Sequence, residues 1–105
     1  MHIYVIAHRD QNDFDRLIGP VKIGVTKNLK ERLASLQTGN PSTLAIYASF
    51  EMPEPLCRQV ERELHDGLQE CRLNGEWFDM ECHHAANSCI FWMKVVEAVG
   101  RRGEA

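Results

Sequence analysis

The chain has 105 residues, 44% of them hydrophobic and 26% charged, with a formal net charge of −3. That length favours one compact core, and no apolar run approaches the roughly 20 residues of a membrane span, so a multidomain enzyme and a membrane-spanning protein are both unexpected. A negative net charge excludes general attraction to polyanions, so any nucleic-acid contact must come from a local patch.

The opening segment MHIYVIAHRD has a short apolar stretch and no basic leader. It does not resemble a secretory signal, which predicts a cytoplasmic protein. Within it, Ile3 to Ala7 is rich in β-branched and aromatic residues and reads as a strand. Ile3, Val5 and Ala7 share one face; Tyr4 and Ile6 share the other. RDQNDFDRLIG reads as a polar loop ending at Gly19-Pro20. Val21, Ile23 and Val25 then alternate with Lys22, Gly24 and Thr26, which predicts a second strand with the latter three opposite the apolar face.

Asn28 is a good N-cap with Glu31 three residues on, and Leu29, Leu33 and Leu36 recur at helical spacing until Gly39 and Pro41 close the element. This first helix, about residues 29–38, leaves Lys30 and Arg32 off the leucine stripe. TLAIYASFEM reads as a third strand. Pro53 and Pro55 introduce a second helix, where Leu56, Val60, Leu64 and Leu68 step by four and Cys57, Glu61 and His65 step by four beside them. NGEWFDM breaks the pattern at Gly75, with Glu76 and Trp77 read as structural residues at a core edge. Cys89, Trp92, Met93, Val96 and Val99 outline a third helix, about residues 83–99, which stops at Gly100 and leaves RRGEA as a tail. The element order predicts a single α+β domain over residues 1–100, its small sheet covered by helices, with a tail at 101–105.

Charge is unevenly placed. Lys22, Lys27, Lys30 and Arg32 outweigh Glu31 between residues 22 and 32, whereas Glu51 to Asp79 is acidic. A phosphate backbone approaching the basic segment explains the asymmetry, and a solvated helix face explains it equally. Cys57, Cys71, Cys82 and Cys89 form no CxxC pair and read as reduced thiols. Cys82, His83, His84 and Cys89 could supply zinc-type ligands, against the commoner reading of buried thiols on helix faces.

Taken in order, HIYVI at 2–6, VKIGVT at 21–26, NLKERLASLQTGNP at 28–41, VERELH at 60–65 and GEWF at 75–78 resemble the GIY-YIG nuclease superfamily, in particular its small phage and bacterial branch with a KIG-type second motif. The resemblance covers residues 2–79. It implies a three-stranded antiparallel sheet flanked by helices and metal-dependent hydrolysis of DNA phosphodiester bonds. Such a reaction needs an in-line water, an acceptor for its proton, and positive charge where negative charge develops.

Carried over, Tyr4 would position or deprotonate the water, Arg32 would hold the scissile phosphate, and Glu61 would bind a single magnesium or manganese ion at the leaving oxygen. His65 is a second ligand or proton shuttle in this reading, and packing is its alternative. Thr26 would donate to phosphate or satisfy the strand end, while Lys27 and Lys30 would touch the DNA backbone without reading sequence. His2 replaces the first motif's glycine and Lys22 the second motif's tyrosine, so Tyr4 and Lys22 stand as alternative bases. An ordinary tyrosine titrates near 10, so Tyr4 serves as base only if the metal, Lys22 or Arg32 lowers its pKa. A homodimer or a larger nuclease complex would supply the specificity that a small domain lacks. The competing function is a noncatalytic module with the same fold that holds nucleic acid or a protein partner.

Overall fold

A computed structural model describes residues 1–104, with side chains described for residues 1–100. The elements are β1 (His2–Arg9), β2 (Leu17–Thr26), α1 (Leu29–Gln37), β3 (Leu44–Glu51), α2 (Glu54–Gly67), β4 (Arg72–Asn74), β5 (Trp77–Phe78) and α3 (Cys82–Glu104), with one 3₁₀ turn at Gln69–Cys71. The strands form one antiparallel sheet in the order β3-β1-β2-β5-β4.

The expected α+β class holds, but the sheet has five strands where three were expected. The two additional strands are three and two residues long, too short to carry a period-2 signal. They form a hairpin whose turn places Gly75 at φ 57°, a left-handed conformation that glycine adopts without steric cost. The hairpin pairs Trp77 with Lys22 and Phe78 with Val21, so β5 covers only the middle of β2 and leaves the edge beyond it open.

β2 also begins earlier than expected, at Leu17, because Leu17 and Ile18 pair with Arg9 and His8 across an irregularity in β1. That irregularity lets the strand run through Pro20, which has no amide to donate. At the other end, α3 starts at Cys82 and runs through Gly100 to Glu104, so the expected tail at 101–105 continues as helix to Glu104; Ala105 lies outside the described residues. No helix among the described residues is long and apolar enough to cross a membrane.

The alternation in β1 and β2 divides the core in two. Ile3, Val5, Ala7, Val21 and Ile23 face Cys57, Val60 and Leu64 of α2 and Cys82, Ala85, Cys89 and Val96 of α3. On the opposite face Tyr4, Ile6 and Leu44 pack beneath Leu29, Leu33 and Leu36 of α1 and beside Trp77. The α1 leucines are only half-buried, so this second layer is thin and leaves polar groups of β2 within reach of the surface. Asn28 caps α1 as expected, its side chain accepting from the Glu31 amide at 3.1 Å.

Candidate active site

Tyr4 and Gly24 are cross-strand partners, and Lys22 lies two residues before Gly24 on the same face. Arg32 reaches that face from α1, on the turn after the Asn28 cap. Glu76 reaches it from the β4–β5 turn, which is pinned to β2 by the Ile23 amide donating to the Glu76 carbonyl at 3.1 Å. Five residues from four segments thus converge, and Gly24 is the one that makes room. A Cβ there would lie 2.6 Å from Glu76 Oε2 and nearer still to the Tyr4 hydroxyl.

One carboxylate oxygen organises the group. Glu76 Oε2 accepts from the Tyr4 hydroxyl at 3.3 Å, and lies 3.8 Å from Lys22 Nζ and 3.6 Å from an Arg32 terminal nitrogen. Arg32 Nε in turn donates to the Tyr4 hydroxyl at 3.1 Å. Lys22 Nζ also stands 5.3 Å from the centre of the Trp77 ring, within range of a cation–π attraction. Tyr4 itself is fully buried, while the side chains of Arg32 and Glu76 are 35% and 31% exposed. Those two therefore form the outer layer and cover the hydroxyl.

The ionisation behaviour follows from this layering. Burial pushes the Tyr4 phenol up to about 12, with Glu76 adding to the rise and Arg32 opposing it. The lowering expected of a tyrosine base is present in Arg32 but outweighed. Lys22 moves the other way: burial lowers its pKa, Arg32 adds to that, and Glu76 resists. The Arg32 pKa is raised further, first by its hydrogen bond to Tyr4.

Glu61 and His65 belong to α2, on the other face of the sheet, but both arrive at the edge of β2 that β5 leaves uncovered. His65 Nε2 lies 2.9 Å from the Ile23 carbonyl, and the ring meets Phe78 edge-on with centroids 5.2 Å apart. His65 thus packs on Phe78, and its Nε2 is occupied by backbone. Glu61 is half-buried, and its carboxyl pKa is raised by burial first and by the Glu76 charge second. His65, Arg58 and the backbone amide of Val25 act against that rise. The two carboxylates, from opposite sides of the sheet, thus sense one another around its open edge.

The remaining basic-segment residues are more peripheral. Thr26 satisfies the strand end: its hydroxyl donates to the Asn28 carbonyl and accepts from the Asn28 amide, both at 3.2 Å. Lys27 pairs with Glu54 at 3.5 Å on the surface. Lys30 is exposed, with no ion pair among the described residues.

The zinc-type set that Cys82, His83, His84 and Cys89 could have supplied does not assemble, and the commoner reading of buried thiols holds for Cys82 and Cys89. Cys82 and Cys89 lie on the buried stripe of α3, where burial pushes the Cys89 thiol up to about 12 and the Cys82 thiol also rises. Cys82 Sγ donates to the Leu17 carbonyl at 3.6 Å. His83 and His84 face solvent beside Glu81, so the helical period separates the thiols from the imidazoles.

Residues 1–94 match the family model of the T5orf172 domain. The chain belongs to the T5orf172 domain family. T5orf172 is a nuclease-like, phage-type domain, consistent with a nuclease or DNA-binding module. No curated protein and no solved structure matches the chain. The T5orf172 match includes every residue of the Tyr4 cluster together with Glu61 and His65.

Sequence reasoning assigned Glu76 a structural role, whereas in this T5orf172 domain it is the shared acceptor of the cluster. The signal available was Asn74-Gly75, a hairpin dipeptide that places the next residue at a tight turn beside a strand end. Trp77 is structural, as expected, packing against Tyr4 and Ile6 while stacking on His8 with ring centres 5.2 Å apart.

Proposed function

We propose that this T5orf172 domain is a metal-dependent DNA endonuclease of the GIY-YIG type, with its phosphate seat at Tyr4, Lys22 and Arg32. The observation that carries this reading is the convergence of two cations and a phenol on one anionic oxygen, Glu76 Oε2. A site that gathers Lys, Arg and a hydroxyl around a carboxylate oxygen offers the same donors to a non-bridging phosphate oxygen. Arg32 holds the phosphate by its terminal nitrogens while Nε keeps the Tyr4 hydroxyl oriented. Lys22, with a lowered pKa and its Nζ near Trp77, supplies the second positive charge as an ammonium or, once deprotonated, is the alternative proton acceptor to Tyr4.

Glu61 fits a hard divalent cation on the chemistry of its donor set. It is a half-buried carboxylate whose ionisation is opposed by burial and by the Glu76 charge, and a cation beside it would relieve both costs. Glu61 would hold a magnesium- or manganese-type ion, which would supply positive charge to the leaving oxygen. His65 acts as a positioning residue, tying α2 to the Ile23 carbonyl so that Glu61 stays at the open edge of β2. Lys30 touches the backbone of a bound duplex from the exposed side of α1, with Lys27 joining it when released from Glu54. A dimer or a larger nuclease complex, in the cytoplasm, would add the sequence specificity that this surface lacks.

A second reading, a noncatalytic nucleic-acid-binding module, is favoured by the full burial of Tyr4 and by its raised phenol pKa. Nicking of supercoiled plasmid separates the two. The nuclease reading expects cutting with magnesium or manganese, none with a chelator, and none by Glu61→Ala. Binding without cutting across single-stranded, duplex and branched DNA would leave the binding module in its place.

A further inference from the structure

We infer that Glu76 is an internal occupant of the phosphate seat, a carboxylate that holds Tyr4, Lys22 and Arg32 in register until a phosphate displaces it. This rests on the phosphate-seat reading above. Three geometrical facts support it independently of any activity. Glu76 Oε2 is within 3.8 Å of a donor from each of the three residues that would hold the phosphate. Glu76 belongs to the outer, partly exposed layer, whereas the Tyr4 hydroxyl lies behind it, so an entering anion meets the carboxylate before the phenol. The carboxylate is also on the turn of a hairpin whose strands are three and two residues long, and the Gly24 position leaves it room beside the hydroxyl.

The electrostatics explain why an occupant is useful. Without one, Lys22 and Arg32 would face each other across a buried phenol with no compensating charge, and like charges in a partly desolvated site repel. Glu76 neutralises the pair in the resting domain and keeps the donors convergent. Arriving phosphate takes over the same donors, and the carboxylate moves out toward solvent, where its desolvation cost falls. Its departure also removes an influence that holds the Tyr4 phenol protonated, since the Glu76 charge is one of the causes raising that pKa. Occupancy by substrate and ease of Tyr4 ionisation are therefore coupled through one side chain.

The test is binding of a short duplex DNA in chelator, where no cutting occurs, compared between the native protein and Glu76→Gln. Glu76→Gln retains the size of the side chain and loses the charge that competes with phosphate. The expected result is an affinity about tenfold higher for the variant, or ~1.4 kcal/mol. Glu76→Ala should shift affinity in the same direction, and the melting temperature of each variant verifies folding before binding is read. Gain of affinity must also disappear when Arg32→Ala is added, because the freed donor is then missing. Unchanged or weaker binding by both variants overturns the inference, as does failure of every form to bind. Tighter binding by Glu76→Gln in a protein that never nicks plasmid would refute the nuclease reading and leave the occupant in place. Nicking by a native protein whose Glu76 variants bind no tighter would do the reverse.

Discussion

Gly24→Ala is the sharpest structural perturbation of the site. The new Cβ would stand 2.6 Å from Glu76 Oε2 and 2.8 Å from Tyr4 Cζ, both far inside van der Waals contact. Tyr4 cannot yield, because its ring is buried among Ile6, Leu44 and the α1 leucines. Glu76 can yield, but only by giving up its contacts to Tyr4 and the two cations. Overpacking of this kind costs ~1–3 kcal/mol, and each neutral hydrogen bond lost adds about 1 kcal/mol. A total of about 3 kcal/mol corresponds to a fall of roughly 12–24 °C in melting temperature for a chain near this size. Thermal unfolding followed by circular dichroism measures it, with Gly100→Ala as control. Gly100 is in α3 with nothing within 4 Å of an added Cβ, so alanine there should leave the melting temperature unchanged or raise it. A spectrophotometric titration gives a second readout: the Tyr4 phenol, pushed up to about 12 in the native protein, should ionise at lower pH in Gly24→Ala. A Gly24→Ala protein that melts with the native one and titrates identically would refute the close approach of Tyr4, Gly24 and Glu76.

The Glu61 carboxyl offers a test of opposite sign. Its folded pKa lies above the ordinary value of 4.5, so its stabilising contribution is complete below that value and is lost as pH rises through the folded pKa. Glu61→Gln should therefore melt at or above the native temperature at pH 7, and the native protein should gain on it as pH falls toward 4; the reverse order in a pH series of melts would contradict the burial argument. DNA binding should also weaken with salt. If the Lys22–Arg32 seat and Lys30 each neutralise one phosphate, log K should fall against log salt with a slope of about −2, as a filter-binding or anisotropy series would show, and a flat series would remove the phosphate contact.

Legibility in the sequence followed the length of each element. The alternation of Ile3, Val5 and Ala7 against Tyr4 and Ile6 revealed both the first strand and the division of the core, because eight residues suffice to show a period of two. The same pattern in Val21 to Thr26 correctly set Lys22 and Gly24 opposite the apolar face, and strand pairing puts Tyr4 on that side. Leucine spacing located α1, and with it Arg32. The β4–β5 hairpin was invisible to periodicity, and its loss concealed Glu76, whose role depends on a turn folding back across β2. For Cys82 and Cys89 the commoner reading, buried thiols on a helix face, holds: Cys82, Ala85, Cys89 and Val96 form one helical stripe in the core. Glu61 and His65 were rightly placed one turn apart, but their arrival at the open edge of β2 depends on β5 ending after two residues, which no local pattern encodes.

The central claim is that Tyr4 takes part in phosphodiester hydrolysis at the Lys22–Arg32–Glu76 cluster. It is tested most directly by nicking of supercoiled plasmid in magnesium or manganese by the native protein and by Tyr4→Phe, each verified as folded by its melting curve. Tyr4→Phe keeps the buried ring and removes only the hydroxyl that meets Arg32 and Glu76. The account predicts a loss of about a hundredfold or more in cutting rate, the scale of a lost proton-transfer group, with DNA affinity largely retained. Cutting by Tyr4→Phe at the native rate would contradict it.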